Sequence, residues 1–210
     1  MLTGAGGSFC SGADLSDPAD VAGRPGDPYL VQMRALAVLA LRLHRLPKPT
    51  IAKVGGVAAG AGMSLAIGCD LVVASDTARF SQIFSKRGLS VDFGSTWLLP
   101  RLIGLHRAKE MTFFADILSA EEAAGFGVVN RVVPADELDA FVDAWARRLA
   151  AGPPLALSMT KTMLNNSFAV SMEQALEDEA RSQAVNFGTA DTAEAIAAFI
   201  QKREPRFEGR

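Results

Sequence analysis

Residues 50–75 read "TIAKVGGVAAGAGMSLAIGCDLVVAS". A short strand pattern, Thr50 to Val54, runs into a glycine-alanine turn from Gly56 to Gly62. The turn opens onto a short apolar helical segment, Met63 to Gly68, and a second strand follows at Asp70 to Ala74. Strand, helix and strand in immediate succession predict an α/β core. Small residues at Ala58, Ala59, Gly60, Ala61 and Gly62 leave backbone N–H groups with no side chain shielding them. At the positive end of a helix such amides suit a negatively charged oxygen. The first polar side chain beyond them is Ser64.

Outward from this stretch the alternation continues. Met1 to Thr3 reads as the end of a buried strand or as a strand at the edge of its sheet, followed by the glycine-rich "GAGGSFCSGADL". Pro28 to Arg45 has a helical pattern with Leu36, Leu39, Ala40 and Leu43 on one face. Ala78 to Gln82 predicts a third short strand, and Leu89 to Ser95 a loop before helices at about Thr96 to Ile103 and from His106. Ser119 with Glu122 forms a capping box, and "VVNRVVP" is a strand. From Ala135 the pattern is helical, with breaks at Gly152 to Pro154 and near Gly188. The expected division is a core over residues 1–150 and a helical region over residues 151–210.

Composition narrows the function. With 210 residues and 49% hydrophobic content the chain can bury a sizeable core. A net charge of −2, with both signs interspersed, gives no field that draws nucleic acid. Cys10 and Cys69 stand outside any CxxC or Cys/His cluster and read as small buried residues, so no metal site is expected. No apolar run reaches membrane-spanning length and the first residues resemble no targeting peptide, so the expectation is a cytoplasmic globular protein with no membrane partner.

Three readings of the exposed amides compete. A dinucleotide site needs GxGxxG, but after Gly60 and Gly62 the third position is Leu65, and "TGAGGSF" fails likewise at Phe9. A serine hydrolase needs a nucleophile elbow. "GMSLA" approximates one around Ser64, and the order Ser64, Asp92, His106 is permitted, but His106 sits at a helix start beside Arg107. An oxyanion hole needs a second donor, which the loop "FCSGADL" supplies through the Gly12 and Ala13 amides. Either loop alone reads as a tight packing turn; two together, each after a strand, favour the hole.

"SFCSGADL", "PKPTIAKVGGVAAGAGMSLAIGCDLVVAS" and "ARFSQIFSKRGLSVDFGSTWLLPRLIG" resemble the crotonase, or enoyl-CoA hydratase/isomerase, superfamily, and the likeness runs to the terminal "AFIQKREPRF". The resemblance implies a spiral of ββα turns with a C-terminal helical trimerisation region, assembling as a trimer or dimer of trimers. It implies a coenzyme A thioester as substrate, with no separate cofactor. The thioester oxygen would lie between the N–H groups of Ala13 and Ala61, within a binding segment of Ser11, Gly12, Ala13, Asp14, Leu15, Gly60 and Ala61. Alanine at 61 replaces a frequent glycine and keeps the same N–H. Phe199 and Lys202 match positions that reach a neighbouring subunit's coenzyme A; read from the residues alone, they end an amphipathic helix with a solvated basic stretch. Relative to the family, the chain is expected to lack a strand, helix and strand ahead of Met1.

Hydratases of the family use two glutamates, and the matching positions here are Ser64 and Phe84. Neither can activate water for addition at Cβ. Asp92, in "SVDFGSTW", matches the aspartate of dienoyl-CoA isomerases and of the ring-epoxide isomerases of phenylacetate breakdown. Val91 stands for a usual proline and Ser95 for a usual glycine, both mild changes. Without the resemblance, an aspartate before a helix is a turn residue or a cap. The expected activity is therefore an acyl-CoA isomerase, shifting a double bond or opening a ring epoxide. One carboxylate can remove and return a proton on one face while two amides hold the enolate oxygen. Phe84, Val91, Phe93 and Trp97 supply apolar surroundings that raise its pKa, and Ser64 fills space in the pocket wall. The alternatives are an enoyl-CoA hydratase (a lyase) of fatty-acid β-oxidation, and a non-catalytic acyl-CoA-binding or assembly subunit.

Overall fold

The structure, a computed structural model, describes residues 1–16 and 29–210. Among the described residues seven short strands build two sheets: β1 (Leu2–Thr3), β2 (Ile51–Val54), β3 (Val57–Ala59), β4 (Leu71–Ser75), β5 (Arg79–Ser81), β6 (Leu118–Ser119) and β7 (Arg131–Val133). The first sheet is parallel with order β1-β2-β4-β7, pairing Leu2 with Ala52, Ile51 with Leu71 and Ala74 with Val132. The second has order β3-β5-β6, with β3 and β5 parallel and β5 and β6 antiparallel.

Successive strands alternate between the sheets. β2 enters the first and β3 the second; β4 enters the first and β5 the second. The segment after β1 repeats the move, since Cys10 bridges in parallel to Ala58 of β3. Each pair is followed by helical structure: α2 (Ala61–Ile67) after β3, and a 3₁₀ turn (Ile83–Arg87) with α3 (Ser95–Ile103) after β5. These repeated strand, strand, helix turns form a spiral α/β core, as the resemblance implied. The change of sheet between β2 and β3 occurs at Gly55 and Gly56. A methyl group on Gly56 would lie 2.2 Å from the Gly7 carbonyl oxygen, so only glycine lets the adjacent turn pass so close.

Both faces of β2 are covered, which is why its residues are almost uniformly apolar. Side chains lock the parallel register. The Asp70 carboxylate accepts from the Thr50 N–H and hydroxyl, each at 2.7 Å. Asn130 takes the Val72 N–H at 2.7 Å and gives its own to the Val72 carbonyl at 2.8 Å, joining β4 to β7. The core gathers Val54, Met63, Ala66, Phe80 and Leu99, all essentially inaccessible.

The chain divides into two compact units, residues 1–44 with 50–143, and residues 45–49 with 144–210. The first also holds α1 (Tyr29–His44), α4 (Leu105–Phe114), α5 (Ala120–Phe126) and the start of α6 (Leu138–Ala150). The second is helical: α7 (Pro154–Asn166), α8 (Met172–Phe187) and α9 (Ala190–Gln201). In it the C-terminal tail folds back onto α9, where the buried Asp191 accepts from the Glu208 N–H at 2.7 Å and the Gly209 N–H at 3.0 Å.

Several elements differ from the expectation. The segment read as one turn, Gly56 to Gly62, contains β3, because its small residues let a strand form against residue 10. Of the two readings of Met1 to Thr3 the edge strand is the one found: β1 is exposed at the end of its sheet and not buried. Helix α1 buries none of its described residues; of its expected apolar face Leu36 and Leu39 are exposed, and only Leu43 packs partly on the core. Pro28, the expected start of that helix, lies outside the described residues. The capping box at α5 forms, with the Ser119 hydroxyl accepting from the Glu122 N–H and the Glu122 carboxylate from the Ser119 N–H.

Candidate functional site

The start of α2 is shaped by three glycines. Gly60 has φ 55° and ψ −127°, a conformation that favours glycine, and its N–H is fixed to the Ser81 carbonyl at 2.9 Å. Ala61 follows as the first helical residue, so its N–H has no acceptor within the helix. A methyl group on Gly62 would lie 2.0 Å from the Cys10 carbonyl oxygen, which shows how closely the backbone at residue 10 passes. Phe9 and Cys10 both donate to the Val57 carbonyl at 3.0 Å, and Ala59 donates to the Cys10 carbonyl at 3.0 Å. Gly12 (φ 94°) sits against the same corner, where a methyl group on it would be 3.5 Å from the Ala61 nitrogen. The loop carrying the Ala13 N–H therefore lies beside the one carrying the Ala61 N–H. Ser11, Ala13 and Leu15 are exposed. The Asp14 carboxylate accepts from the Ser16 hydroxyl at 2.6 Å and N–H at 2.9 Å, which lowers its pKa and ties it into a local turn.

Asp92 lies between the 3₁₀ turn and α3. The residue capping α3 is Gly94, and the Asp92 backbone carbonyl, not its side chain, accepts the Ser95 N–H at 3.1 Å. Its carboxyl oxygen Oδ1 is buried with no hydrogen-bond partner, and burial raises the pKa above the ordinary carboxylate value. Phe93, next in the chain, has φ 52°, a left-handed conformation that costs energy for a bulky residue. Strain and an undersolvated acid thus sit side by side.

The apolar residues expected around this acid are placed differently from one another. Phe84 is buried, and its ring would lie 3.8 Å from a methyl group on Gly60, so it borders the turn that presents Ala61. Val91 and Phe93 are half-buried. Trp97 is exposed on one side; the Arg101 guanidinium stacks 3.8 Å above its ring and the His44 ring meets it edge-on at 5.1 Å.

Ser64 is fully buried and hydrogen-bonded, not a filler of space. Its hydroxyl donates to the Gly60 carbonyl at 3.2 Å and accepts from the Ser95 hydroxyl at 2.7 Å. Ser95 in turn accepts from the Gln82 side-chain amide at 3.0 Å. With its proton committed to a carbonyl and no imidazole among its partners, Ser64 has no arrangement for nucleophilic attack. Sequence reasoning passed over Gln82 and treated Ser95 as a mild change. The available signal was a hydroxyl at position 95, where the resemblance implies glycine; Gln82 follows the mixed strand Arg79–Ser81 and carries no local mark.

In the helical unit, Phe199 near the end of α9 is largely exposed, and Lys202 ends that helix in a left-handed conformation (φ 55°). Cys69 is buried as expected, whereas Cys10 is only half-buried, and neither forms a disulfide. Among the described residues no group of three or more metal-binding side chains comes together, and no helix is long and apolar enough to cross a membrane.

The family profile described as enoyl-CoA hydratase/isomerase matches residues 1–210. The chain is 40% identical over 211 aligned residues to 1,2-epoxyphenylacetyl-CoA isomerase from Escherichia coli, covering 100% of this chain and 80% of that protein. It is 35% identical to a short-chain-enoyl-CoA hydratase from Clostridium acetobutylicum, over 97% of this chain and 77% of that one. A crystal structure of enoyl-CoA hydratase from Bacillus anthracis superposes with a TM-score of 0.91 at 32% identity, over 100% of this chain and 80% of the other. The alternating strand pairs, the adjacent amide loops and the match over every residue have one explanation: the chain belongs to the enoyl-CoA hydratase/isomerase family.

Proposed function

We propose that the protein is an acyl-CoA isomerase that stabilises an enolate between the Ala13 and Ala61 N–H groups and uses Asp92 as its single acid/base. The observation that carries this reading is the state of Asp92. Its side chain caps no helix, and its buried Oδ1 has no partner, so it is a carboxylate held in readiness rather than spent on structure. With Ser64 committed to hydrogen bonds and phenylalanine at 84, the two-carboxylate chemistry of water addition has no second acid at either family position. In the proposed reaction the Asp92 carboxylate takes a proton from the α-carbon of a 3-enoyl thioester. The electron pair moves onto the thioester oxygen, where two N–H donors meet the charge. The protonated Asp92 then returns the proton at the γ-carbon, leaving the conjugated 2-enoyl thioester. The E. coli relative's name supports the ring-epoxide substrate of phenylacetate breakdown as a second acyl group of the same chemistry.

The test is turnover of a 3-enoyl-CoA, followed by the rise of the conjugated thioester. Asp92→Asn keeps the size of the side chain and removes its basicity, so the rate should fall by at least about a hundredfold while binding persists. A variant that turns over normally would remove Asp92 from the mechanism. The competing reading is hydration, favoured by relatives named as hydratases. It predicts water addition to a 2-enoyl-CoA at a rate exceeding isomerisation. If the protein binds acyl-CoA and converts neither substrate, it is a binding or assembly subunit.

For the whole protein we propose a cytoplasmic homotrimer or dimer of trimers formed through residues 151–210, with Phe199 and Lys202 covering a neighbour's coenzyme A. Exposure of Leu176, Phe187, Ile196, Phe199 and Ile200 on α8 and α9 supports an apolar contact there.

A further inference from the structure

We propose that Gln82, Ser95 and Ser64 are positioning residues: a buried hydrogen-bond chain that fixes the plane of the peptide between Gly60 and Ala61 and so aims the Ala61 N–H. The inference rests on the reading of that N–H as an oxyanion donor. Across a trans peptide the C=O and N–H point in opposite directions, so whatever holds the Gly60 carbonyl sets the Ala61 N–H. Two bonds hold that carbonyl, both from residue 64: the backbone N–H at 3.0 Å and the hydroxyl at 3.2 Å. The hold matters because Gly60 has no side chain to restrict its ψ, and other orientations of the peptide are cheap for glycine.

A lone serine hydroxyl rotates and can donate elsewhere. Here each rotor is constrained by the next. The Gln82 amide donates to Ser95 at 3.0 Å, occupying a lone pair, and Ser95 then spends its proton on Ser64 at 2.7 Å. Ser64 is left with one direction for its own proton, the Gly60 carbonyl. All three side chains are fully buried, so no water substitutes for a missing link. A second observation points the same way. The Gln82 carbonyl oxygen Oε1 is buried with no partner, an unfavourable arrangement that an apolar side chain of similar length would avoid. Packing alone does not call for glutamine at this position; donation to Ser95 does.

The experiment uses butyryl-CoA labelled with ¹³C at the thioester carbonyl, a saturated ligand that cannot isomerise, and infrared difference spectroscopy of the bound carbonyl stretch. In the parent the band should move to lower wavenumber on binding, because two N–H donors polarise the C=O bond. In Ser64→Ala and Ser95→Ala the displacement should shrink, kcat on a 3-enoyl-CoA should fall about three- to tenfold, and KM should stay within about twofold. Gln82→Met removes the unpaired oxygen with the donor, so it should unfold at or above the parent's temperature while losing part of the band displacement and of kcat. A merely structural role predicts the reverse pairing. An unchanged displacement in the folded variants overturns the positioning role and leaves the oxyanion hole standing. Absence of any displacement in the parent overturns the hole, and the positioning role with it. If Ser64→Ala does not fold, Ser95→Ala and Gln82→Met decide the matter alone.

Discussion

Burial of the Asp92 carboxyl has a consequence for stability, apart from the catalytic role proposed for it. A carboxyl whose folded pKa is raised is harder to ionise in the native protein than in the unfolded chain. Its ionisation therefore costs stability, a cost absent below the unfolded value of 3.8, growing as pH rises through the folded value and complete above it. Asp92→Asn should accordingly be more resistant to urea than the parent at pH 7, with the gap closing by pH 3. On the proposed mechanism the same variant should lose isomerase activity, so one substitution should move stability and rate in opposite directions. Equal stability of the two proteins at pH 7 would mean that the carboxyl is better solvated than its burial indicates. Asp92 was singled out in the sequence only through the family resemblance carried by the contiguous segment around it, since an aspartate before a helix reads by itself as a turn residue or a cap. The roles of Ser95 and Gln82 were not legible, since they depend on three elements converging so that residues 64, 82 and 95 touch. No local pattern encodes that meeting.

Among elements, α9 carries an ion pair with a defined pH window. The Arg203 guanidinium grips the Glu194 carboxylate through both nitrogens, at 2.5 and 2.8 Å, and the Arg206 N–H adds a third bond at 3.0 Å. Together, led by the Arg203 bond, these lower the Glu194 pKa from 4.5 to about 2. The stabilisation is complete above the unfolded value of 4.5 and disappears as pH falls through about 2. Thermal unfolding of Glu194→Gln should thus lie below the parent at pH 7 and meet it near pH 2; parallel curves over that range would exclude the pair as a contributor. Helices with strong local signals were readable at this scale. The capping box at Ser119 placed the start of α5, and "GPP" and Gly188 marked the start of α7 and the end of α8, while the break between those two helices, after Asn166, was not read. Strand β3 was hidden because its alanines pair through the backbone with residue 10, a partner more than forty positions away.

At the scale of the molecule, composition and periodicity supported an α/β core and a helical end; the spiral was recognisable only through combined motifs. The sheet order shows why. β1 pairs with β2, β2 with β4 and β4 with β7, so each register joins segments separated by a strand or helix of the other layers. The apolar side chains left exposed on α8 and α9 set a further expectation: light scattering at micromolar concentration should give the mass of three or six chains. A monodisperse species near the chain mass of 22.2 kDa would refute it. Replacing Phe199 and Ile200 together by serine should dissociate the assembly if those residues belong to its contacts.

The contact between Gly62 and the Cys10 carbonyl suggests how such a scaffold changes its tastes without losing its trade. The two loops are pinned main chain to main chain, and position 62 is closed to every residue with a Cβ. The bonds that pin them, from Phe9 and Cys10 to Val57 and from Ala59 to Cys10, run between backbone atoms. None of these bonds uses the side chain of Val91, Phe93 or Trp97, so exchange at those positions, by inheritance or in a designed library, should leave the two loops pinned. On the proposed function, selectivity would change through such side chains, while the two donors belong to a backbone that substitution does not delete.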